Sequence, residues 1–232
     1  MIRLGVPAKG RLMDATFAWF RARGVRLGRT TASRAYAGTV EGVEGVSLVL
    51  SNAGEIPREL AAGRLHLGVT GQDVLREQLP LWRQQVREVA LLGYGHADLV
   101  VAVPECWVDV DTLDDLDAVA GDFRAAHGMR LRIATKYHRL SRDFLRRHDM
   151  ADYQLVDSQG ATEGTIRNHR AEAVVDIASS GQTLRANQLK ILQDGVILRS
   201  QATLFQSCSA PLSTAAQATL DRLMARLIES GL

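Results

Sequence analysis

Val174-Val175-Asp176-Ile177-Ala178-Ser179-Ser180-Gly181-Gln182-Thr183-Leu184 joins an apolar run, an acid, a turn of small residues and a helix start. Val174, Val175 and Ile177 are β-branched and predict a buried strand. Ser179, Ser180 and Gly181 have little side chain, so a ligand can approach their backbone, and Gly181 tolerates the dihedrals of a tight turn. Leu184, Ala186 and Leu189 predict about two turns of helix. The first N–H groups of such a helix lack intrahelical partners and attract anions. The hydroxyls of Ser179, Ser180 and Thr183 add donors, and Asp176 can accept from two neighbouring sugar hydroxyls. The same letters also describe an ordinary strand–turn–helix with a serine cap. The acid directly after two valines is what favours a sugar-phosphate cradle.

Around this stretch, strand and helix signals alternate. Ile2–Val6 predicts a strand, and Leu12, Ala15, Trp19 and Phe20 mark one face of the helix after it. Val46–Leu50, Leu65–Val69, Leu99–Val103, Leu131–Thr135 and Tyr153–Val156 predict further strands. Helices are expected at about 57–62, 72–78, 140–147 and 162–169. Residues 189–206 alternate as one or two strands, and Leu220, Leu223, Met224, Leu227 and Ile228 form an apolar helical stripe. This alternation predicts α/β architecture with a mainly parallel sheet covered by helices. Gly93-Tyr94-Gly95-His96 is the best break between lobes. Lobe I is expected at 1–94 plus about 184–232, and lobe II at about 95–183, with ligands at the carboxyl ends of strands in the cleft.

Hydrophobic residues make up 46% of the 232-residue chain and charged residues 23%, the balance of a folded globular protein. A net charge of +2 is too small to predict nucleic-acid binding. No apolar run is long enough to span a membrane, and the first residues read as a strand rather than a signal peptide, so a cytoplasmic location is expected. Cys106 and Cys208 read as free thiols, and the histidines show no ligand spacing for a protein-held metal.

Three other strand ends carry polar chemistry. Lys9-Gly10-Arg11 follows the first strand with two cations around a glycine, which suits polyphosphate oxygens or a solvated basic turn. Gly68-Val69-Thr70-Gly71-Gln72-Asp73-Val74-Leu75 is a glycine-flanked strand end opening a helix, and Arg132-Ile133-Ala134-Thr135-Lys136-Tyr137 is a third. The Asp176 turn itself resembles the phosphoribosyl-diphosphate loop of phosphoribosyltransferases, in which an acid precedes Ser/Thr-Gly-x-Thr. The best-known version has two adjacent acids, and here Ile177 takes the place of the second.

Together with Pro7-Ala8-Lys9-Gly10-Arg11-Leu12, Glu55-Ile56-Pro57, Gly160-Ala161-Thr162-Glu163 and Thr183-Leu184-Arg185-Ala186-Asn187, these segments resemble the ATP phosphoribosyltransferase family in order and spacing through most of the chain. The resemblance implies a two-lobed fold like type II periplasmic binding proteins, with the ligand cleft between lobes. It implies attack of N1 of ATP on C1′ of phosphoribosyl diphosphate, giving N1-(5-phosphoribosyl)-ATP and pyrophosphate, the first step of histidine biosynthesis. Mg²⁺ is then expected on the diphosphate, held by substrate rather than by protein side chains.

The resemblance also implies roles residue by residue. Lys9, Arg11 and Arg34 serve catalysis by meeting phosphate and pyrophosphate charge. Glu163, Asp176, Ala178, Ser179, Ser180, Gly181, Gln182 and Thr183 bind phosphoribosyl diphosphate. Gly10, Thr70, Gly71 and Asp73 line the ATP side of the cleft. The chain departs from the family at Asn52, where many relatives carry Arg, with Arg58 or Arg34 as substitutes, and at His138-Arg139, where Pro-Asn is usual. The chain ends soon after its last helix, as in the short form of the family. That form implies a homodimer and a hetero-oligomer with a regulatory subunit similar to histidyl-tRNA synthetase. The rival readings are an exported solute-binding protein, a phosphoribosyltransferase with another acceptor, and a catalytically weak binding paralogue.

Overall fold

Ile2, Leu4 and Val6 are fully buried at alternate positions of the first strand, as a strand with one face on a core requires. The computed structural model describes residues 1–29, 37–158, 162, 164–179 and 181–229. The chain divides into two units: Met1–Gly95 with Gln201–Leu232, and His96–Ser200.

The first unit begins β1 (Ile2–Pro7), α1 (Gly10–Ala22), β2 (Arg26–Arg29), β3 (Ala37–Glu41) and β4 (Val46–Ser51). It continues α2 (Ile56–Ala61), β5 (Leu67–Gly71), α3 (Gln72–Gln78), α4 (Trp82–Gln85) and β6 (Val86–Leu91). The second unit holds β7 (Asp98–Pro104), α5 (Leu113–His127), β8 (Leu131–Thr135), α6 (His138–Arg147) and β9 (Tyr153–Asp157). It ends with α7 (Gly164–Arg167), β10 (Ala173–Ala178), α8 (Gln182–Ala186) and β11 (Leu189–Leu198). The chain then returns to the first unit as β12 (Ala202–Ser207) and α9 (Thr214–Glu229).

The first unit is a seven-stranded sheet in the order β2-β3-β4-β1-β5-β12-β6. Its even-numbered strand residues from Ile2 to Val6 and Leu48 to Leu50 pack with Phe20 of α1 and Leu220, Leu223 and Leu227 of α9. Phe205, on the other face, packs with Ile56, Leu60 and Leu75. The second unit is a five-stranded sheet in the order β11-β7-β10-β8-β9. Leu99, Val101, Ile133 and Val175 face α5 and α6, whereas Val100, Ala134 and Val174 face Leu184 of α8.

The expected mainly parallel sheet is replaced by two mixed ones. Among the described residues, only β4-β1-β5 and β10-β8-β9 run parallel; β2-β3-β4 and the strands that leave and re-enter each unit pair antiparallel. The return also falls at Gln201 rather than near residue 184. The reason is pairing: Leu189–Leu198 lies antiparallel on β7, so α8 and β11 stay with the second unit.

Candidate functional site

In the second unit, β10 delivers Asp176. Its parallel neighbour β8 is in register Val174↔Ala134 and Val175↔Thr135, so Lys136 leaves β8 beside Asp176, which is still within β10. The Asp176 carboxylate is only 12% exposed, and its Oδ1 lies 3.3 Å from Lys136 Nζ. The same Oδ1 accepts the Ile177 N–H at 2.8 Å. A charge so far removed from water needs such donors. Lys136 is a partner of Asp176 to which sequence reasoning gave no role. Its signal was the parallel pairing of two strand ends, which letters alone do not display.

The turn after Asp176 opens as expected. Ala178 closes the strand opposite Asp98, Ser179 is exposed, and Gly181 takes φ +68°, a left-handed conformation that favours glycine. Gln182 and Thr183 are exposed in the first turn of α8. The helix is shorter than expected. Asn187 caps it, Gln188 turns to φ +55°, and Leu189 belongs to β11 instead of a second helical turn. Arg34, Glu163 and Ser180 lie outside the described residues.

Around this turn, the other motif residues hold the scaffold. Arg132 donates twice to Glu172, at 3.2 and 2.6 Å, and to the His169 carbonyl at 2.9 Å. Its guanidinium is raised above its ordinary pKa by the bond to Glu172. His138 Nε2 lies 3.2 Å from Asp157 Oδ1, and Arg139 Nη1 3.4 Å from Asp143 Oδ2, so both residues of the departing His-Arg pair face acids of their own unit. Thr162, the described part of the Gly-Ala-Thr-Glu segment, shares a 2.9 Å hydrogen bond with Ser158.

In the first unit, parallel register sets the carboxyl ends of β4, β1 and β5 side by side. Lys9 is the exposed N-cap of α1, and Gly10 adopts φ +75° with open space where a Cβ would stand. Arg11 follows, exposed on α1. Lys9, Ser51, Asn52, Glu55, Arg58 and Arg64 line a concavity of about 730 Å³. Arg64 is engaged by Glu59 through bonds of 2.7 and 2.6 Å. The Arg58 guanidinium makes no hydrogen bond or ion pair among the described residues, and it lines the same concavity as Lys9. Asn52 instead builds a turn: its Oδ1 accepts the Gly54 N–H at 3.3 Å. Ser51 donates to Glu55 Oε2 at 2.8 Å, a bond that sequence reasoning did not foresee.

Thr70 is fully buried and donates to the Ala53 carbonyl at 2.9 Å. It thus braces the 52–55 turn rather than lining the concavity. Gly71 is the N-cap of α3, and Asp73, 4% exposed, lies in its first turn. Lys9 is therefore gathered with the 51–58 segment, and Thr70 stands behind that segment. Arg11 and Asp73 are not part of the concavity.

Residues 52–229 match the family model described as ATP phosphoribosyltransferase. The chain belongs to the ATP phosphoribosyltransferase family. An ATP phosphoribosyltransferase of Cereibacter sphaeroides is 66% identical over 215 residues, which cover 93% of this chain and 91% of that protein. A solved structure, "ATP phosphoribosyl transferase (HisG:HisZ) complex from Thermotoga maritima", superposes with a TM-score of 0.71 at 19% identity, covering 99% of this chain and 98% of that one. A histidine kinase sensor domain "with Similarity to Periplasmic Binding Proteins" superposes with a TM-score of 0.53 at 12% identity, covering 99% and 88%. At those identities the two structures speak for the fold alone. They agree with the expected periplasmic-binding-protein-like class for this ATP phosphoribosyltransferase. Among the described residues, no helix is long and apolar enough to cross a membrane, and no group of three or more His, Cys, Asp or Glu could hold a metal ion.

Proposed function

We propose that the chain performs the family's reaction, the first step of histidine biosynthesis, through these two clusters. The observation that carries the residue assignment is Asp176, an acid held by Lys136 and the Ile177 N–H beside a small-residue turn. Asp176 accepts the ribose hydroxyls of phosphoribosyl diphosphate. The Ser179–Thr183 turn meets the 5-phosphate with backbone N–H groups and hydroxyls, and Glu163 serves the same ribose.

In the reaction the N1 lone pair of ATP forms a bond to C1′. The C1′–O bond breaks, and its electron pair leaves with pyrophosphate. The transition state gains positive charge on the ribose, so the protein's task is alignment and stabilisation of the departing charge. No covalent nucleophile is required. Lys9, Arg11 and Arg34 meet phosphate charge, with Arg58 as a further cation beside Lys9. Gly10, Thr70, Gly71 and Asp73 belong to the ATP side, Thr70 by supporting the turn at Ala53. Mg²⁺ carried by the substrate, with no protein side chain holding it, would supply neutralising charge to the diphosphate.

Our reading includes a homodimer and a regulatory subunit similar to histidyl-tRNA synthetase. The Thermotoga maritima structure, a complex of two named components, supports the second association. A cytoplasmic location is consistent with two free, exposed thiols, Cys106 and Cys208. The test mixes the chain with ATP, phosphoribosyl diphosphate and Mg²⁺, with and without the regulatory subunit. Phosphoribosyl-ATP and pyrophosphate in equal amounts are expected. Their absence in both mixtures would refute the reading.

A further inference from the structure

We propose that Lys136 is a positioning residue for the phosphoribosyl donor and acts through Asp176; the inference rests on the function proposed above. Three observations converge on it. The parallel register ends at Val175↔Thr135, so Asp176 is the next residue of β10 and Lys136 the first residue past β8. Val174, two residues before Asp176 on β10, shares one apolar cluster with Ala134, so strand alternation puts the acid on that face, and the ion pair brings the lysine to it. The ammonium and the Ile177 N–H both converge on Oδ1, at 3.3 and 2.8 Å.

Two donors on one carboxylate oxygen leave the other for the sugar. A carboxylate can accept about four hydrogen bonds across its two oxygens. With Oδ1 held from two sides, the plane of the group is fixed and Oδ2 becomes the acceptor for the paired hydroxyls of ribose. Lys136 therefore sets how tightly the donor is held, without touching C1′.

A plain structural ion pair is the competing account, and the exposures separate the two. The Lys136 side chain is 44% exposed while that of Asp176 is 12% exposed. An ammonium so well solvated contributes little to folding. Its loss should leave the fold and change the acid.

The experiment compares wild type, Lys136→Met and Lys136→Arg in steady-state kinetics with the regulatory subunit present, and in calorimetric titration with phosphoribosyl diphosphate. Lys136→Met should raise KM and Kd for phosphoribosyl diphosphate about tenfold, the loss expected for one charge-assisted contact. KM for ATP and the thermal midpoint should stay put, and Lys136→Arg should recover most of the loss. On an Asp176→Asn background the Lys136→Met change should add nothing further, because the partner is gone. Wild-type donor affinity in Lys136→Met, or a full additional loss on the Asp176→Asn background, would overturn the inference. If the wild type itself makes no phosphoribosyl-ATP, the functional reading fails instead.

Discussion

Asp176 and Lys136 stand forty residues apart in sequence, yet a single register brings their charges to 3.3 Å. Asp176→Asn keeps the shape and removes the charge. It should raise KM for phosphoribosyl diphosphate by about tenfold or more with the fold intact, measured by initial rates and circular dichroism. Asp176 was legible because an acid after two valines is a local pattern. Lys136 carried no assigned role, since a lysine at a strand end gains meaning only from the neighbouring strand. At Asn52 the letters left two substitutes, Arg58 and Arg34, and packing places Arg58 in the concavity beside Lys9. A different residue sets a pH limit. His66 accepts the Arg3 N–H on Nδ1 at 3.1 Å and faces the Pro211 carbonyl from Nε2 at 3.3 Å, so it is neutral when folded. Burial pushes its pKa below the ordinary imidazole value. The unfolded chain then takes up the proton first as pH falls, and stability should drop below about pH 6.5. Urea unfolding at pH 8 and pH 5.5 should show the loss, and His66→Gln should flatten it.

At the scale of elements, local signals were readable where they were self-contained. The helix predicted at 72–78 is α3, and the strand predicted at Val46–Leu50 is β4. The long helix α5 was not foreseen, although Thr112 and Asp115 form a capping box. Asp115 N–H donates to Thr112 Oγ1 at 3.2 Å, and Thr112 N–H to Asp115 Oδ2 at 2.8 Å. Thr112→Ala should cost about 1 kcal/mol and lower the thermal midpoint by roughly 2–4 °C, readable by calorimetry. Strands β2 and β3 escaped notice because they are short and carry Gly28 and Gly38. Gly38 is there for contact: a Cβ would stand 2.3 Å from the Gly28 carbonyl oxygen. The apolar stripe of α9 was legible from spacing, and Leu223 is fully buried. Leu223→Ala should therefore destabilise the first unit by about 2–5 kcal/mol, seen as a shifted denaturant midpoint.

For the whole molecule, the break near Gly93–His96 could be read from sequence, but the return at Gln201 could not. A strand signal says nothing about which sheet it joins, and β11 and β12 have similar composition on either side of that boundary. Parallel and antiparallel edges are equally silent in the letters, which is why mixed sheets replaced the expected parallel one. Donor binding to the second unit should be visible globally. Phosphoribosyl diphosphate at a hundred times its Kd should add about 2.7 kcal/mol and raise the melting temperature, and a tenfold weaker Asp176→Asn should keep only about 1.4 kcal/mol of that at the same concentration.

The threading of the chain also governs its birth. The second unit is one continuous segment, so all its strands are available once Ser200 has been synthesised. The first unit is not. Among the described residues, strand β6 pairs with β12 alone, through partners such as Val86↔Ser207 and Thr203↔Leu91. From the moment Leu91 leaves the ribosome until Ser207 follows, that edge has no partner, an interval on the order of ten seconds at ordinary translation rates. The half of the protein made first is thus the half finished last, and during that wait β5 and β6 are open to pairing with the wrong strand.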